Sequence, residues 1–241
     1  MIKFLKKRYN MVMDYIKNSQ KLENELLYAH IFESTIRGSA WLKENSFSFT
    51  GGACNYSFAY ILYRILETEK PLNILEMGLG QTSKITTQYI LNKNENASLD
   101  IVEHDKKWIE IFKENIKLND GIKIHNPSLE VFEFQNVKNY KYENLKQHLG
   151  NKKYNLIIID GPYGGGNFSR SDILDIIPEN LDDDFIIILD DVERAGEFYL
   201  MNRIFEKLDS LSIEYEHKTL KGTKSQAVIM CKARKYVKFY C

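Results

Sequence analysis

Hydrophobic positions along the chain alternate between short apolar runs and longer stretches in which they recur every three or four residues. Residues 1–45 show the second pattern, which predicts helices. A strongly apolar helix is predicted over about 55–66, and Pro71 closes that region. The runs 155–160 and 184–190 are apolar through their middle, as is typical of strands covered on both faces.

The predicted strands and helices alternate from residue 73 onwards. We predict further strands over 73–77, 99–103, 122–125, 213–220 and 225–233, and helices over 82–92, 106–118, 169–181 and 193–209. This alternation predicts an α/β fold with a Rossmann-like, doubly wound, mostly parallel sheet of seven strands. The turn at 221–224 is too short for a crossover, so the last strand must run antiparallel to the strand before it. We expect one domain over 46–241, preceded by a helical extension over 1–45.

Composition and charge fit a globular chain without a polyanionic partner. Hydrophobic residues make up 44% of the 241 positions, which is ample for a core. The 33 Lys and Arg residues balance the 33 Asp and Glu residues, so no nucleic-acid partner is expected. The basic segment 231–241 is a local exception, which we interpret as a solvated edge strand rather than a binding tail.

Cysteine usage and hydropathy predict a cytoplasmic protein without a membrane contact. Cys54, Cys231 and Cys241 are widely spaced and show no metal-binding spacing with histidines, which is typical of reduced thiols. No signal-peptide core follows the basic start, and no segment approaches the roughly 20 apolar residues that span a bilayer. The long apolar N-terminal helices are a candidate contact for a homodimer.

Acidic residues stand at the ends of four predicted strands: Glu76, Glu103, Asp160, and the neighbours Asp190 and Asp191. In an open α/β sheet, ligands bind beyond the carboxyl ends of the strands. Carboxylates gathered at one rim repel one another. The pattern therefore indicates a ligand that offers hydroxyls, amines or positive charge.

The segment EMGLG joins a predicted strand to a predicted helix. Gly78 and Gly80 allow the backbone to approach a ligand, and Thr82 and Ser83 are suited to cap the helix. The dinucleotide fingerprint is incomplete, because Ser83 occupies the position of its third glycine. Glu103, at the end of the next strand, is placed to accept both hydroxyls of a ribose. The alternative is that it is a solvated strand end.

Four motifs, ILEMGLGQTS, IVEHDKKW, LIIIDGP and IIILDDVERAGE, together resemble the class I S-adenosylmethionine-dependent methyltransferase superfamily. The resemblance runs from about residue 46 to the C-terminus. Its sub-pattern is similar to small-molecule and sugar methyltransferases rather than to DNA or rRNA enzymes. It implies S-adenosylmethionine as the cofactor, bound by the domain over 46–241, and an antiparallel last strand.

The resemblance also implies which residues contact the cofactor. Glu76 and the turn at 78–80 face its methionine part, Glu103 holds the ribose, and His104 flanks the adenine. The full set implied in this way is Glu76, Gly78, Gly80, Gln81, Thr82, Ser83, Glu103, His104, Asn126, Ser128 and Asp160.

Electrostatics agrees with a cofactor that carries a sulfonium cation, because Glu76 directly precedes the glycine turn and attracts positive charge. A pyrophosphate favours bare amides at a helix N-terminus with no adjacent acid. By the resemblance, Asn126 or Ser128 lies near the adenine edge.

Asp160, Asp190 and Asp191 are the candidate catalytic residues. By resemblance to one branch of the superfamily, acids at these strand ends bind a divalent cation, and three oxygen ligands with waters suit Mg²⁺. Such an ion lowers the pKa of an acceptor hydroxyl, or the acids themselves act as the base. The alternative is that Asp160 lies beside the cofactor, while Asp190 and Asp191 cap the next helix.

The loop in DGPYGGGNFSRSD follows Asp160 and is expected to lie over the site. Arg170 and Arg194 each follow a strand-end acid by a short interval. They are candidates for binding a carboxylate or phosphate on the substrate. The alternative is that each arginine pairs with a neighbouring aspartate.

These features predict a methyltransferase that acts on an oxygen, less readily a nitrogen, of a small molecule or sugar. Assistance by Mg²⁺ stays open. So do two other functions on this fold: an aminopropyl-type transferase that uses a decarboxylated cofactor, and a non-catalytic module.

Overall fold

The computed structural model describes residues 2–49, 53–164 and 166–240, in which helices and strands alternate through most of the chain. The helices are α1 (Ile2–Ile36), α2 (Tyr56–Thr68), α3 (Gln81–Asn92), α4 (Lys106–Asn115), α5 (Leu145–Leu149), α6 (Ile173–Ile176) and α7 (Ala195–Ser210), with a 3₁₀ helix over Lys232–Phe239. The strands are β1 (Asn73–Met77), β2 (Ser98–Val102), β3 (Ile122–His125), β4 (Leu129–Phe134), β5 (Val137–Tyr142), β6 (Tyr154–Ile159), β7 (Leu181–Leu189), β8 (Tyr215–Lys221) and β9 (Ser225–Cys231). Cys241 and residue 165 of the glycine loop lie outside the described residues.

Seven of these strands form one sheet in the order β3-β2-β1-β6-β7-β9-β8. Neighbouring strands from β3 to β7 pair in parallel, whereas β9 runs antiparallel to both β7 and β8. The strand order reverses between β1 and β6, which places a crevice beyond the carboxyl ends of these two strands. The predicted doubly wound, mostly parallel sheet with an antiparallel last strand is confirmed.

Both faces of the sheet are covered by helices. Along β6, Leu156 and Ile158 enter the core that contains residues of α2 and α3, whereas Ile157 and Ile159 enter the core that contains residues of α7. All four side chains are fully buried. This double burial explains why the strand is apolar without alternation.

The long helix α1 packs through its C-terminal part on α2. The rings of Tyr28 and Tyr60 lie 6.0 Å apart, and those of Phe32 and Tyr56 lie 6.3 Å apart. Before these contacts, α1 exposes nine large apolar side chains: Leu5, Tyr9, Met11, Val12, Tyr15, Ile16, Leu22, Leu26 and Leu27. Within the described part of the chain, no helix combines the length and the apolar character that crossing a membrane requires. The boundary at residues 45 and 46 stays a prediction.

An antiparallel hairpin, which the sequence analysis assigned to no element, is inserted between β3 and β6. Its strands β4 and β5 pair with each other and stay outside the main sheet. Gln135 and Asn136 form the turn with φ of 52° and 61°, as a two-residue type I′ turn requires. No residue of β4 is fully buried. Its sequence LEVFEF is accordingly interrupted by acids and lacks the continuous apolar run of the strands that are covered on both faces.

The helix predicted over 169–181 is wrong for most of its length, because only Ile173–Ile176 is helical. Pro178 disfavours a helical conformation at Ile177, which is extended with ψ of 131°. Before the short helix, the carboxylate of Asp172 accepts a hydrogen bond from the amide of Tyr142 on the hairpin (2.5 Å). The segment is therefore shaped by the hairpin rather than by its own helical pattern.

The interpretation of the basic C-terminal segment as an edge strand is also wrong. β9 lies inside the sheet between β7 and β8, and the residues after it form the 3₁₀ helix. Arg234 pairs with Asp184 and places Nη1 2.5 Å from Oε2 of Glu69, while Lys232 lies 2.9 Å from Glu214. These ion pairs hold the helix against neighbouring elements.

Candidate active site

A cavity of about 520 Å³ opens beyond the carboxyl ends of β1, β2, β6 and β7. Its size is within the range of about 300–1,000 Å³ that is common for small-molecule sites. Of the residues predicted from the sequence, those that line it are Gly78, Gly80, Gln81, Glu103, His104, Asp160, Arg170, Asp191 and Arg194. The predicted residues that do not line it are Glu76, Thr82, Ser83, Asn126, Ser128 and Asp190.

Two glycines bring the backbones after β1 and β6 into contact at the cavity. Gly78 has φ of +100°, in the left-handed region that favours glycine. A Cβ on Gly78 would lie 2.9 Å from the amide nitrogen of Gly161, and one on Gly161 would lie 2.7 Å from Cα of Gly78. At Gly80, a Cβ would meet nothing within 4 Å. Gly78 is thus required by the packing of the protein itself, whereas Gly80 borders open space.

The acid at the end of β1 binds the following helix rather than the cavity. Glu76 is fully buried, and its carboxylate accepts hydrogen bonds from the hydroxyls of Thr82 (2.5 Å), Ser83 (2.8 Å) and Thr86 (2.7 Å) on α3. Burial raises the pKa of Glu76 to about 7, although these hydroxyls act in the opposite direction. The sequence predicts that Glu76 faces the methionine part of a cofactor, but in the structure its carboxylate is turned to α3. Thr82 and Ser83 lie at the start of α3, where they were predicted to cap it, and neither lines the cavity as a cofactor contact would.

Glu103, at the end of β2, is held in place at the cavity wall. Its carboxylate accepts hydrogen bonds from the amides of Leu79 (3.1 Å) and Asp105 (2.8 Å). Nδ1 of His104 lies 2.8 Å from the same carboxylate. The rings of His104 and Tyr163 meet edge to face with centroids 4.8 Å apart. A fixed carboxylate therefore stands next to an aromatic corner of the cavity.

Asn126 and Ser128 support this wall from outside the cavity. The side-chain amide of Asn126 donates to the carbonyl oxygens of Glu103 (2.8 Å) and His104 (2.9 Å). The carbonyl of Ser128 accepts a hydrogen bond from the amide of Glu143 just after the hairpin (2.9 Å). Both residues thus position neighbouring backbone.

The structure brings Asp160, Asp190 and Asp191 together: one carboxylate oxygen from each lies within 4.8 Å of the other two. Asp160 and Asp191 line the cavity, while Asp190 is buried behind them and accepts a hydrogen bond from Nε2 of Gln226 (2.7 Å). Burial raises the pKa of Asp160 and of Asp190, and the charges of neighbouring aspartates add to this effect. The residue that caps α7 is Arg194, so the expectation that Asp190 and Asp191 cap this helix is wrong.

Cations of the protein itself neutralise this cluster. The buried Arg170 places Nη2 3.1 Å from Oδ1 of Asp160 and 3.0 Å from Oδ2 of Asp191. Nη1 of Arg194 lies 2.9 Å from Oδ2 of Asp191, and Nζ of Lys224 lies 3.8 Å from its Oδ1. Both arginines therefore reach the cavity and pair with neighbouring aspartates, as the alternative interpretation held.

Sequence reasoning missed Tyr142, Lys224 and Glu197. Tyr142 lines the cavity from the hairpin. Glu197 on α7 is fully buried, with Oε1 3.8 Å from Nη1 of Arg194. The position of Lys224 could have been predicted from the sequence. A strand that runs antiparallel to its neighbour begins at the edge of the sheet where that neighbour ends. The turn before β9 therefore had to lie at the carboxyl end of β7.

Solved structures that are similar to this chain include methyltransferases. TomG from Streptomyces achromogenes, an O-methyltransferase involved in tomaymycin synthesis and crystallised with S-adenosylmethionine, is similar with a TM-score of 0.57 and 12% identity, over 89% of this chain and 98% of that chain. An O-methyltransferase from Bacillus cereus in complex with S-adenosylhomocysteine is similar with a TM-score of 0.52 and 17% identity, over 87% and 91% of the two chains. A precorrin-6y C5,15-methyltransferase from Geobacter metallireducens is similar with a TM-score of 0.53 and 13% identity, over 78% and 94%.

At these identities the likeness establishes the fold alone, which is the Rossmann-like fold shared by these methyltransferases. No protein-family model matches the sequence, and no curated protein matches it.

Proposed function

We propose that this protein is an S-adenosylmethionine-dependent methyltransferase that acts on an oxygen of a small molecule, such as a sugar hydroxyl. The observation that carries the proposal is that Glu103, the turn at 78–80 and Asp160 surround one cavity at the reversal of strand order. The likeness in fold to O-methyltransferases crystallised with S-adenosylmethionine or S-adenosylhomocysteine supports it.

The chain's own residues fit each part of this cofactor. Glu103 offers carboxylate oxygens to the ribose hydroxyls, and the rings of His104 and Tyr163 form a corner for the adenine. Gly80 and Gln81 border the space left for the methionine part. When bound, S-adenosylmethionine supplies a methyl group activated by the sulfonium.

The charge of the acid cluster favours a positively charged ligand. Among the described residues, the cluster holds four carboxylates and three cations: Asp160, Asp190, Asp191 and Glu197 against Arg170, Arg194 and Lys224. With all groups ionised, one negative charge remains. A sulfonium compensates that charge, and the burial of Asp190, Asp191 and Glu197 limits its screening by solvent.

We propose that Asp160 is the base that takes the proton from the substrate hydroxyl to which the methyl group is transferred. It lines the cavity, and its Oδ1 is held by Arg170. Burial raises its pKa, so it binds a proton more readily than an exposed aspartate. Deprotonating the hydroxyl and holding it in line with the methyl group are the two contributions that the chain makes to the reaction.

Arg194 is the proposed contact for an anionic group on the acceptor. The nitrogens of Arg170 already donate to Pro162, Asp190, Asp160 and Asp191. The side chain of Arg194, in contrast, is 41% exposed at the cavity. A guanidinium placed in this way suits a carboxylate or phosphate.

Calorimetric titration with S-adenosylmethionine tests the proposal. We expect saturable binding to the wild-type protein and, for Glu103→Gln, a Kd about 10–100 times higher, because hydrogen bonds to a charged acceptor are worth about 1.5–3 kcal/mol. Glu110→Gln, which changes an exposed acid on α4, is the matched control and should bind like the wild type. Undetectable binding to folded wild-type protein at millimolar ligand would contradict the proposal.

The alternative to deprotonation of the substrate hydroxyl by Asp160 alone is deprotonation that is assisted by Mg²⁺. The three carboxylate oxygens within 4.8 Å of one another favour it. The guanidinium of Arg170 between Asp160 and Asp191 opposes it. Methyl transfer from radiolabelled S-adenosylmethionine, measured with and without Mg²⁺, separates the two cases, since an assisting ion should change the rate of transfer.

Experiments with S-adenosylmethionine also distinguish the proposed methyltransferase from two other functions on this fold. An aminopropyl-type transferase should prefer decarboxylated S-adenosylmethionine to the intact compound. A non-catalytic module should show no methyl transfer from radiolabelled S-adenosylmethionine to any acceptor. A preference for the intact cofactor, followed by transfer, excludes both.

We also propose that α1 joins two copies of the chain. Its nine exposed large apolar side chains, at about 100 Å² each, supply roughly 900 Å² per copy, comparable to the roughly 800 Å² per partner of a standard stable interface. A cytoplasmic location stays a prediction; the buried Cys54 and Cys231 carry free thiols, which agrees with it.

A further inference from the structure

The guanidinium of Arg170 stands at the centre of the acid cluster. Its Nη2 contacts the carboxylates of Asp160 (3.1 Å) and Asp191 (3.0 Å), and its Nη1 donates to the carbonyl of Asp190 (3.2 Å). Nε donates to the carbonyl of Pro162 (3.4 Å). The side chain is only 4% exposed. One buried cation thus bridges the three acids at the ends of β6 and β7.

The loop and the hairpin hold Arg170 in this position. Its φ of 63° lies in the left-handed region, which is uncommon for residues other than glycine. Two residues before it, the amide of Phe168 donates to Oδ1 of Asn139 on the hairpin (2.8 Å). Two residues after it, Asp172 accepts a hydrogen bond from the amide of Tyr142 (2.5 Å). Anchors on both sides therefore fix where the guanidinium enters the cluster.

A divalent cation does not fit the cluster while Arg170 is in place. Magnesium requires near-ideal octahedral geometry at about 2.0–2.1 Å from its oxygens, and Nη2 of Arg170 already bridges Asp160 and Asp191. The ionised cluster also has a single negative charge in excess, as counted above. Two further positive charges would make the cluster cationic and would repel a sulfonium.

We propose that Arg170 takes the place of a divalent cation at this site. Its guanidinium holds the carboxylates of Asp160 and Asp191 together and supplies a fixed positive charge beside the cavity, so that the protein neither binds nor requires a divalent ion. Arg170 is thereby a positioning residue. The statement about metal binding stands on the geometry of the cluster alone, and the statement about metal-independent catalysis rests on the proposed methyltransferase function.

The test measures Mn²⁺ binding in the absence of any cofactor, by calorimetry and by loss of the electron paramagnetic resonance signal of free Mn²⁺. Arg170→Ala removes the bridging cation and leaves three converging carboxylates, whereas Arg170→Lys keeps a positive charge there. Arg203→Ala is the matched control, because Arg203 pairs with Glu206 on the exposed side of α7.

We expect no saturable Mn²⁺ binding to the wild type, to Arg170→Lys or to Arg203→Ala at millimolar concentrations. Arg170→Ala should bind one Mn²⁺ at least ten times more tightly than the wild type, and Asp191→Asn added to it should abolish this binding. Stoichiometric binding of Mn²⁺ to the wild type that Asp191→Asn removes would overturn the proposal. So would a folded Arg170→Ala variant without any gain in affinity.

If Arg170→Ala does not fold, the wild-type titration and the Asp191→Asn comparison decide the question alone. Methyl transfer by the wild type in the presence of EDTA should equal that without EDTA. The Mn²⁺ titrations use no cofactor, so their result does not depend on the methyltransferase proposal. That proposal is tested separately, by binding of S-adenosylmethionine and by methyl transfer.

Discussion

At the scale of single residues, the strand-end acids have different surroundings although the sequence presents them alike. Glu76 shares a face of β1 with Ile74, which packs in the core that α3 covers. Its carboxylate therefore meets the hydroxyls of α3. Glu103 is instead bound by two loop amides and lines the cavity. Which acids face a ligand therefore depends on the side of the sheet to which each side chain points, and not only on the presence of an acid at the strand end.

Glu76 should make the stability of the protein depend on pH. Its pKa in the folded protein, about 7, is higher than its ordinary value of 4.5. The folded state thus keeps a proton that the unfolded state loses. The contribution of Glu76 to the free energy of unfolding is fully present below pH 4.5 and is lost as the pH rises through 7. The loss is on the order of 3 kcal/mol.

The variant Glu76→Gln cannot titrate at this position. We expect its free energy of unfolding, measured with urea, to fall less between pH 5 and pH 8 than that of the wild type. Glu110→Gln, at an exposed position, should keep the wild-type slope. Equal slopes for Glu76→Gln and the wild type would show that the buried carboxylate does not titrate in this range.

Gly161 and Gly80 should respond differently to alanine. A Cβ on Gly161 would lie 2.7 Å from backbone of Gly78 and 2.6 Å from Oη of Tyr142, so Gly161→Ala should cost about 1–3 kcal/mol of stability. A Cβ on Gly80 meets open space, so Gly80→Ala should cost less than about 1 kcal/mol. Urea unfolding measures both. Gly80→Ala should weaken S-adenosylmethionine binding, and unchanged binding would place the ligand elsewhere.

At the scale of elements, apolar runs located β1, β2, β6, β7 and β9, because most residues of these strands are buried and apolar. The hairpin of β4 and β5 escaped the same reasoning, since it lies outside the main sheet and only two of its side chains, Asn139 and Tyr142, are buried. Arg170 could be assigned to the strand-end region from the sequence. Its place between two aspartates could not, because the anchors that fix it, Asn139 and Asp172, lie on or bind the unpredicted hairpin.

Asn139 should stabilise the loop that carries Arg170. Its fully buried side chain accepts the amide of Phe168 (2.8 Å) and donates to the carbonyl of Val137 (2.8 Å). Asn139→Ala leaves that amide without its acceptor and should cost about 1–3 kcal/mol. Hydrogen exchange over residues 166–170 should accelerate, while Lys138→Ala, exposed on the same strand, should leave it unchanged. Unaltered exchange in Asn139→Ala would contradict this role.

At the scale of the whole molecule, sheet topology places the site and leaves α1 with an apolar surface. The reversal of strand order sets the crevice between β1 and β6, and the antiparallel β9 adds Lys224 to the same rim. Along residues 5–27, α1 exposes the apolar side chains assigned above to a dimer contact.

The dimer should depend on this face of α1. Val12 and Ile16 lie four residues apart on one side of the helix and are exposed. Val12→Glu combined with Ile16→Glu should convert a dimer to a monomer in sedimentation-velocity experiments, because burying two carboxylates opposes association. Asn18→Glu, at an exposed polar position, should leave the dimer intact. A wild-type monomer at micromolar concentration would contradict the proposal.

A crystal structure of the protein soaked with S-adenosylmethionine tests the proposed site directly. We expect the compound in the cavity, with its ribose hydroxyls on Glu103, its adenine beside His104 and Tyr163, and its sulfonium on the side of Asp160. A cavity that stays empty at saturating ligand, or a ligand bound away from the carboxyl ends of β1, β2 and β6, would contradict the proposed site.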